Sequence, residues 1–232
     1  MKKLNVWSVL KSGTVIGMKN ALSVIGATVL YILTIWIPYI NVGTTIAMAA
    51  IPVELSKGKV ISPLFIFKSE YRRRMGEFFI LEALTLVAML IGLLFGVIPM
   101  YVIAIAWSLS LYLFIDKDMT ALEAMRESNR LTYGNKWRIL AVGLLFGIVV
   151  AVLLAVFTAI ANACDSMALR IIFTLIIIVC VAPVGVGLDA VIYKTLTTPE
   201  EEPATGETVV EEVVVEIVEE PATESTEEQA AE

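Results

Sequence analysis

The chain has 232 residues, of which 58% are hydrophobic, with a mean hydropathy of +0.85 and a formal net charge of −6. This composition carries more apolar surface than a soluble core of that size can bury, so it argues against a soluble globular protein. There is no histidine and there are only two cysteines, which argues against a metal site, a disulfide framework or a cofactor. We expect an integral membrane protein.

Residues 1–20 are predicted to form a cytoplasmic helix at the membrane interface. Apolar residues recur near helical spacing from Leu4 to Met18, next to lysines. The apolar stretch that follows, residues 21–40, is long enough to cross about 30 Å of hydrocarbon and too long for the apolar core of a signal peptide. We therefore predict that it stays attached as the first membrane span.

Residues 78–115 are too long to be one span. They contain a single charged residue, Glu82, and one helix of that length would extend roughly 57 Å, nearly twice the hydrocarbon thickness. The chain must therefore turn back, and Gly96 with Pro99 marks the turn because both residues favour leaving the helix. This predicts spans at residues 78–97 and 100–115.

Residues 42–55 are short for a span, and a re-entrant segment is the alternative. The basic residues decide between the two. If this stretch crosses, all of the 17 basic residues except Arg170 lie on one side, as the positive-inside rule predicts. We therefore predict an all-α polytopic transmembrane bundle over residues 21–194, with both termini in the cytoplasm. Its six spans lie near residues 21–40, 42–55, 78–97, 100–115, 139–160 and 171–193.

The charged connection before the fifth span is predicted to be an amphipathic cytoplasmic helix. Thr120 with Glu123 forms a capping-box pattern, and Gly134 is placed to end the helix. One face carries charges and the other carries small or apolar residues, which suits a helix on a membrane surface or against neighbouring helix ends. The second face consists of Ala121, Ala124, Met125, Ser128 and Thr132.

The stretch ALEAMRESNRLTYGNKWRIL, residues 121–140, resembles the signature of the YciC-like and DUF975-like bacterial membrane proteins. It is also similar to the membrane domain attached to some glycerophosphodiester phosphodiesterases. The signature residues are Ser128, Leu131, Gly134 and Trp137. The resemblance implies a multi-pass protein of the bacterial cytoplasmic (inner) membrane whose molecular activity is undefined. It supplies no catalytic residue, because those phosphodiesterases carry their catalysis in a separate soluble domain.

Ionisable and helix-breaking residues inside the spans are the candidate functional positions. A charged group in a membrane is costly, so Glu82 and Asp189 are candidates, although both lie near the cytoplasmic boundary and interfacial anchoring is the alternative. Asp189 needs a partner from another helix. Pro183, Gly185 and Gly187 predict a broken last helix, a feature of transporters, while close helix packing explains the same residues.

A basic cluster precedes the third span. It consists of Lys68, Arg72, Arg73 and Arg74. Such a cluster attracts anionic lipid head groups at roughly 1 kcal/mol per residue, and setting the topology is the alternative role.

Residues 195–232 are predicted to be a disordered acidic cytoplasmic tail. The tail contains thirteen of the 23 acidic residues and no basic residue, so the helical body is basic although the whole chain is acidic. Within it, residues 208–220 carry an apolar stripe behind a capping pattern. We expect this segment either to fold on binding a protein partner or the protein's own cytoplasmic face, or to remain an inert solvated tail.

These features predict a non-catalytic membrane protein, a structural or interaction component, with anionic lipids as partners and no nucleic acid. No nucleophile with a base, no metal-ligand cluster and no phosphate loop indicates an enzyme. The interaction prediction also depends on the absence of a pattern for buried charge networks. The alternative is transport of a small solute or lipid through the broken sixth span.

Overall fold

The computed structural model describes residues 3–163 and 167–198, and in these ranges every regular element is helical. Two short 3-10 helices, Pro63–Phe67 and Ser69–Arg72, precede α4. The α-helices are α1 (Val6–Lys19), α2 (Ala21–Thr34), α3 (Ile40–Ser56), α4 (Met75–Leu94), α5 (Val97–Ala106), α6 (Ser110–Asp116), α7 (Ala121–Thr132), α8 (Lys136–Ala163) and α9 (Met167–Thr197). The prediction of an all-α fold is confirmed for the described part of the chain.

Four helical stretches of the described chain are long and apolar enough to cross a membrane. They are α4, α5 together with α6, α8 and α9. A fifth is counted if α1 and α2, which meet at a 74° bend, form one span, while α3 is apolar but shorter. The outer faces of α4 and α8 are rich in exposed leucine, isoleucine and valine. Exposing such large apolar faces to water is unfavourable, so the chain is a membrane-embedded protein.

The predicted first span, residues 21–40, is wrong as a single helix. Helix α2 ends at Thr34, and the chain turns before α3 begins at Ile40. Pro38 disfavours helical geometry in the residue before it, and Tyr39 has a positive φ of 72°, which ends any helix. An apolar run therefore does not by itself define a helix, because proline divides this one into α2 and the start of a helical hairpin.

The predicted turn between the third and fourth spans is confirmed. Helix α4 ends at Leu94, and Gly96 has a φ of 124°, which only glycine adopts readily. A second interruption, between Ala106 and Ser110, was not predicted. There the Ser128 hydroxyl accepts the Leu109 N–H at 3.1 Å and donates to the Ala106 carbonyl at 2.8 Å. The break is therefore stabilised from α7.

Helix α7 matches its sequence pattern closely. Its buried residues are Ala121, Ala124, Met125, Ser128 and Thr132, the five residues of the predicted small face. The Glu123 carboxylate accepts the Thr120 N–H at 3.0 Å, and Gly134 has a φ of 80° after the last turn. These contacts fix both ends of the helix. The buried face packs against helices α4, α5, α6 and α9 of the bundle.

Helices α1 and α9 pack backbone to backbone. A Cβ atom added to Gly187 would lie 2.1 Å from the Gly13 carbonyl oxygen, and one added to Gly17 would lie 2.2 Å from the Pro183 carbonyl oxygen. As the numbers rise along α1 they fall along α9, so the two helices are antiparallel. Such close approach is possible because each of these contacts includes a glycine, which has no side chain. Helix α1 thus packs on α9 through a face of small residues, while Trp7 and Met18 of the predicted interfacial face remain exposed.

The last helix is not broken. Pro183 lies inside α9, which continues as one α-helix from Met167 to Thr197. Gly187 faces α1, and a Cβ at Gly185 would be 3.4 Å from the ring of Phe146 in α8. The predicted break is wrong because the small residues serve helix packing, the alternative explanation of the same pattern.

Replacing Gly17 by alanine tests this contact. The added methyl group meets the Pro183 carbonyl, so Gly17→Ala is expected to lower the free energy of unfolding by about 1–3 kcal/mol, the usual cost of overpacking. Gly147→Ala in α8 is the matched control, since its Cβ would meet nothing within 4 Å and alanine favours the helix by roughly 1 kcal/mol. Unfolding by sodium dodecyl sulfate in mixed micelles measures both. Equal shifts in the two variants would contradict the packing described here.

Candidate functional site

The carboxylate of Asp189 has a partner from another helix, as its position in a membrane helix requires. The Tyr112 hydroxyl of α6 donates to Asp189 Oδ2 at 2.9 Å. Asp189 is partly buried in α9, with buried neighbours Leu188 and Ala190 on either side in the chain. A hydrogen bond to a carboxylate contributes more than a neutral one, about 1.5–3 kcal/mol. The bond therefore holds α6 against α9.

In a second tyrosine–aspartate pair, α9 supplies the tyrosine and α6 supplies the aspartate. The Tyr193 hydroxyl of α9 donates to Asp116 Oδ2 of α6 at 2.5 Å. The Tyr112 and Tyr193 rings meet edge to face with their centroids 5.9 Å apart. On each helix the tyrosine and the aspartate are four residues apart, and both pairs advance in the same direction. Helices α6 and α9 are therefore parallel in this region and locked in one register.

Asp116 also links this pair to the end of α3. The Lys57 ammonium lies 2.5 Å from Asp116 Oδ1 and 3.4 Å from Glu54, and Lys59 lies 2.9 Å from Glu54. We call Asp189, Tyr112, Tyr193, Asp116 and Lys57 the Tyr–Asp network. Partial burial opposes the charge on Lys57, but its hydrogen bond and attraction to Asp116 outweigh the burial and raise the pKa of the ammonium. The network therefore runs from the last helix to a charged surface.

An open cavity of about 280 Å³ borders the charged end of the network. Glu54, Lys57, Tyr71, Arg74 and Asp116 contribute to its lining. Burial, followed by the charges of Glu70 and Glu54, raises the pKa of the Tyr71 phenol. In the described ranges, no three His, Cys, Asp or Glu side chains are grouped so that they could hold a metal ion. The arrangement is suited to sharing hydrogen bonds and protons and to fixing α3, α6 and α9 together.

The predicted basic cluster is divided by the fold. Arg74 turns inward, where it donates to the carbonyls of Phe114 at 2.8 Å and Met119 at 2.6 Å. Its guanidinium also stacks on the Phe114 ring and pairs with the exposed Asp118.

The other members of the cluster remain nearer the surface. Arg72 packs beside Gly43 and donates weakly to the Phe67 carbonyl at 3.4 Å. Lys68 lies over the Phe65 ring, and Arg73 is exposed. Arg74 is therefore committed to the fold, whereas Arg73 is the member most open to a lipid head group.

The structure does not bring Glu82 to Asp189. Glu82 is exposed on the outer face of α4, beside the exposed Phe79 and Leu86. No hydrogen bond or ion pair to another described residue involves its carboxylate. Of the two carboxylates, therefore, only Asp189 has a hydrogen-bond partner among the described residues.

The signature residues of α7 and its C-terminal turn are placed where they support the fold. Ser128 bridges the break between α5 and α6, and Leu131 packs partly buried against the core. Gly134 allows the turn, and Trp137 is 82% exposed at the start of α8.

Sequence reasoning missed Tyr112, Asp116, Tyr193 and Lys57. A signal was present, because tyrosine and aspartate recur four residues apart in two apolar stretches, YLFID and DAVIY. That spacing places both side chains on one helix face. The sequence did not predict these contacts, because the partners come from helices far apart in the sequence.

No family model, curated protein or solved structure matches this chain. The resemblance to the YciC-like and DUF975-like proteins therefore stays a prediction.

A double-mutant cycle tests the Tyr–Asp network. Tyr112→Phe removes the hydroxyl that Asp189 accepts, so it is expected to cost about 1.5–3 kcal/mol of unfolding free energy. Once Asp189→Asn is present, Tyr112→Phe should cost less, with a coupling of about 0.5–3 kcal/mol. Tyr133→Phe, at a 63% exposed tyrosine, is the matched control and should have almost no effect. Additive single effects would contradict a direct bond.

Proposed function

We propose that this chain is a non-catalytic structural or interaction component of the bacterial cytoplasmic membrane that joins a partner through the outer face of α4. The observation that carries the proposal is Glu82. Its carboxylate is exposed on an apolar helix long enough to span a membrane, about 10 Å along the helix from Met75. Ionisable residues in such helices normally face protein or water, because lipid does not solvate charge.

The surroundings of Glu82 favour a helix as the partner. Phe79, Leu86 and Leu90 are each about half exposed and flank it at helical spacing. A partner helix that presents a hydroxyl, amide or basic group to Glu82 would satisfy the carboxylate and cover the apolar residues together. The acidic tail, residues 199–232, lies outside the described residues and remains a second proposed contact for a protein partner.

We further propose that the chain crosses the membrane six times. Leu4 donates its N–H to Asn135, and Lys57 pairs with Asp116, so Leu4 and Lys57 lie at the same charged end of the bundle. The chain therefore leaves this end after Leu4 and returns to it before Lys57. An even number of crossings satisfies this. The bent pair α1–α2 supplies the first crossing and α3 the second, with both termini in the cytoplasm as the positive-inside rule favours.

Labelling of single cysteines tests the crossing. In a variant without Cys164 and Cys180, Trp36→Cys is expected to react with a membrane-impermeant maleimide from outside the cell, since Trp36 is 86% exposed between α2 and α3. Lys59→Cys is the matched control and should react only when the cytoplasmic side is opened. Reaction of Trp36→Cys from the cytoplasmic side alone would show that α2 and α3 form a re-entrant hairpin.

Substitution of Glu82 tests the interaction. The full chain in lipid nanodiscs should retain a stoichiometric protein partner, which reciprocal tagging of that partner recovers. Glu82→Leu should reduce recovery about tenfold or more, the effect of losing one hydrogen bond to a charged group, while the chain stays folded. Leu144→Ala, on the exposed face of α8, is the matched control. The proposal fails if Glu82→Leu and the parent protein retain the same partners, and removal of residues 199–232 separates a contact of the tail from one of α4.

A further inference from the structure

We propose that the groove between the start of α1 and the first turns of α8 binds one anionic phospholipid. The groove is open, has a volume of about 600 Å³ and includes Lys3, Trp7, Leu10, Arg138 and Leu145 in its lining. We call it the α1–α8 groove. It is separate from the basic cluster before α4 and from the Tyr–Asp network, and it does not depend on the function proposed above.

A single asparagine joins the start of α1 to the first turn of α8 beside the two cations of the groove. The Asn135 carboxamide oxygen accepts the Leu4 N–H at 2.9 Å and a weaker bond from Arg138 at 3.4 Å. Asn135 is 2% exposed, so this junction is part of the fold. It fixes the backbone next to Lys3 against the first turn of α8. The polar end of the groove is thereby built before any ligand arrives.

Among the described residues, the positive charge at this end of the groove has no acidic partner. None of the described side chains that line the α1–α8 groove is acidic. In residues 3–163 and 167–198, neither Lys3 nor Arg138 forms an ion pair with a carboxylate. A phosphate diester would complete this site, because arginine and lysine together bind phosphate oxygens by charge-assisted hydrogen bonds.

The other end of the groove is apolar and faces outward. Leu145 lies seven residues after Arg138, about 10 Å farther along α8, and Leu10 lies one turn beyond Trp7 on α1. Leu145 is 45% exposed on a helix long enough to span a membrane. An acyl chain that continues from a phosphate at Lys3 would run along these leucines into the hydrocarbon.

Trp7 marks the boundary between the two ends. It is 76% exposed although it is the largest side chain of the groove. Tryptophan prefers the head-group level of a bilayer, because its ring is apolar and its N–H seeks a partner. Cations, an interfacial tryptophan and leucines therefore follow one another in the order of phosphate, glycerol and acyl chain. This order fits a phospholipid better than a soluble anion, which would use the cations alone.

Native mass spectrometry of the full chain in detergent tests the assignment. Titration with phosphatidylglycerol and with phosphatidylcholine of the same acyl chains should show one site that prefers the anionic lipid. Lys3→Gln with Arg138→Gln is expected to weaken phosphatidylglycerol binding about 30-fold, the combined effect of two basic groups near a membrane surface. Lys3→Gln alone leaves the Asn135 junction intact and should weaken it about fivefold.

Two controls separate this site from general attraction to a basic protein. Lys3→Arg with Arg138→Lys keeps both charges and should retain the preference, while Arg73→Gln, an exposed arginine outside the groove, should leave it unchanged. Equal binding of the two lipids by the parent protein, or equal losses in Arg73→Gln and Lys3→Gln, would overturn the assignment. Displacement of the lipid by millimolar glycerol 3-phosphate would overturn it as well, since a soluble anion would then suffice.

Discussion

The contact between the glycines of α1 and the proline–glycine segment of α9 is the constraint on which the rest of the structure depends. Gly13, Gly17 and Gly187 bring two helix backbones together at distances that no side chain permits. In a membrane, where lipid is as apolar as leucine, such close packing replaces the hydrophobic effect as the main attraction between helices. The first helix of the chain is thereby fixed on the last.

With α1 in place, α9 becomes the centre of the described fold. It also contacts α2, α3, α7 and α8, and the Tyr–Asp network fixes its depth relative to α6 and the end of α3. The network is two-sided, since each helix supplies both a hydroxyl donor and a carboxylate. A shift of α9 by one residue would separate each tyrosine hydroxyl from its carboxylate. Asp116 would keep Lys57, but Asp189 would lose its hydroxyl donor, which is costly in a membrane.

Helix α7 links the charged surface to the bundle. Its outer face carries charged side chains, among which the Arg130 guanidinium lies 2.6 Å from the Glu127 carboxylate. Its inner face uses Ser128 and Thr132 to satisfy the Ala106 carbonyl, which the break before α6 leaves without a helical partner. Ser128, one of the signature residues, therefore has a structural role in this chain, because it stabilises the break that precedes Tyr112 and Asp116.

The sequence alone determined the class of protein, the all-α fold, the turn at Gly96 and the buried face of α7, because composition, proline, glycine and helical periodicity act locally. It did not predict that the helix in residues 21–40 ends before Pro38, although proline disfavours a continuous helix. Only the tertiary structure decided that Gly17 and Gly187 meet, that Pro183 stays within a continuous helix, and that Asp189 finds Tyr112. The two contacts, Gly17 with Gly187 and Tyr112 with Asp189, join residues 77 or more positions apart. A pattern within one helix shows which face makes contacts, but the partner of that face depends on how the helices pack.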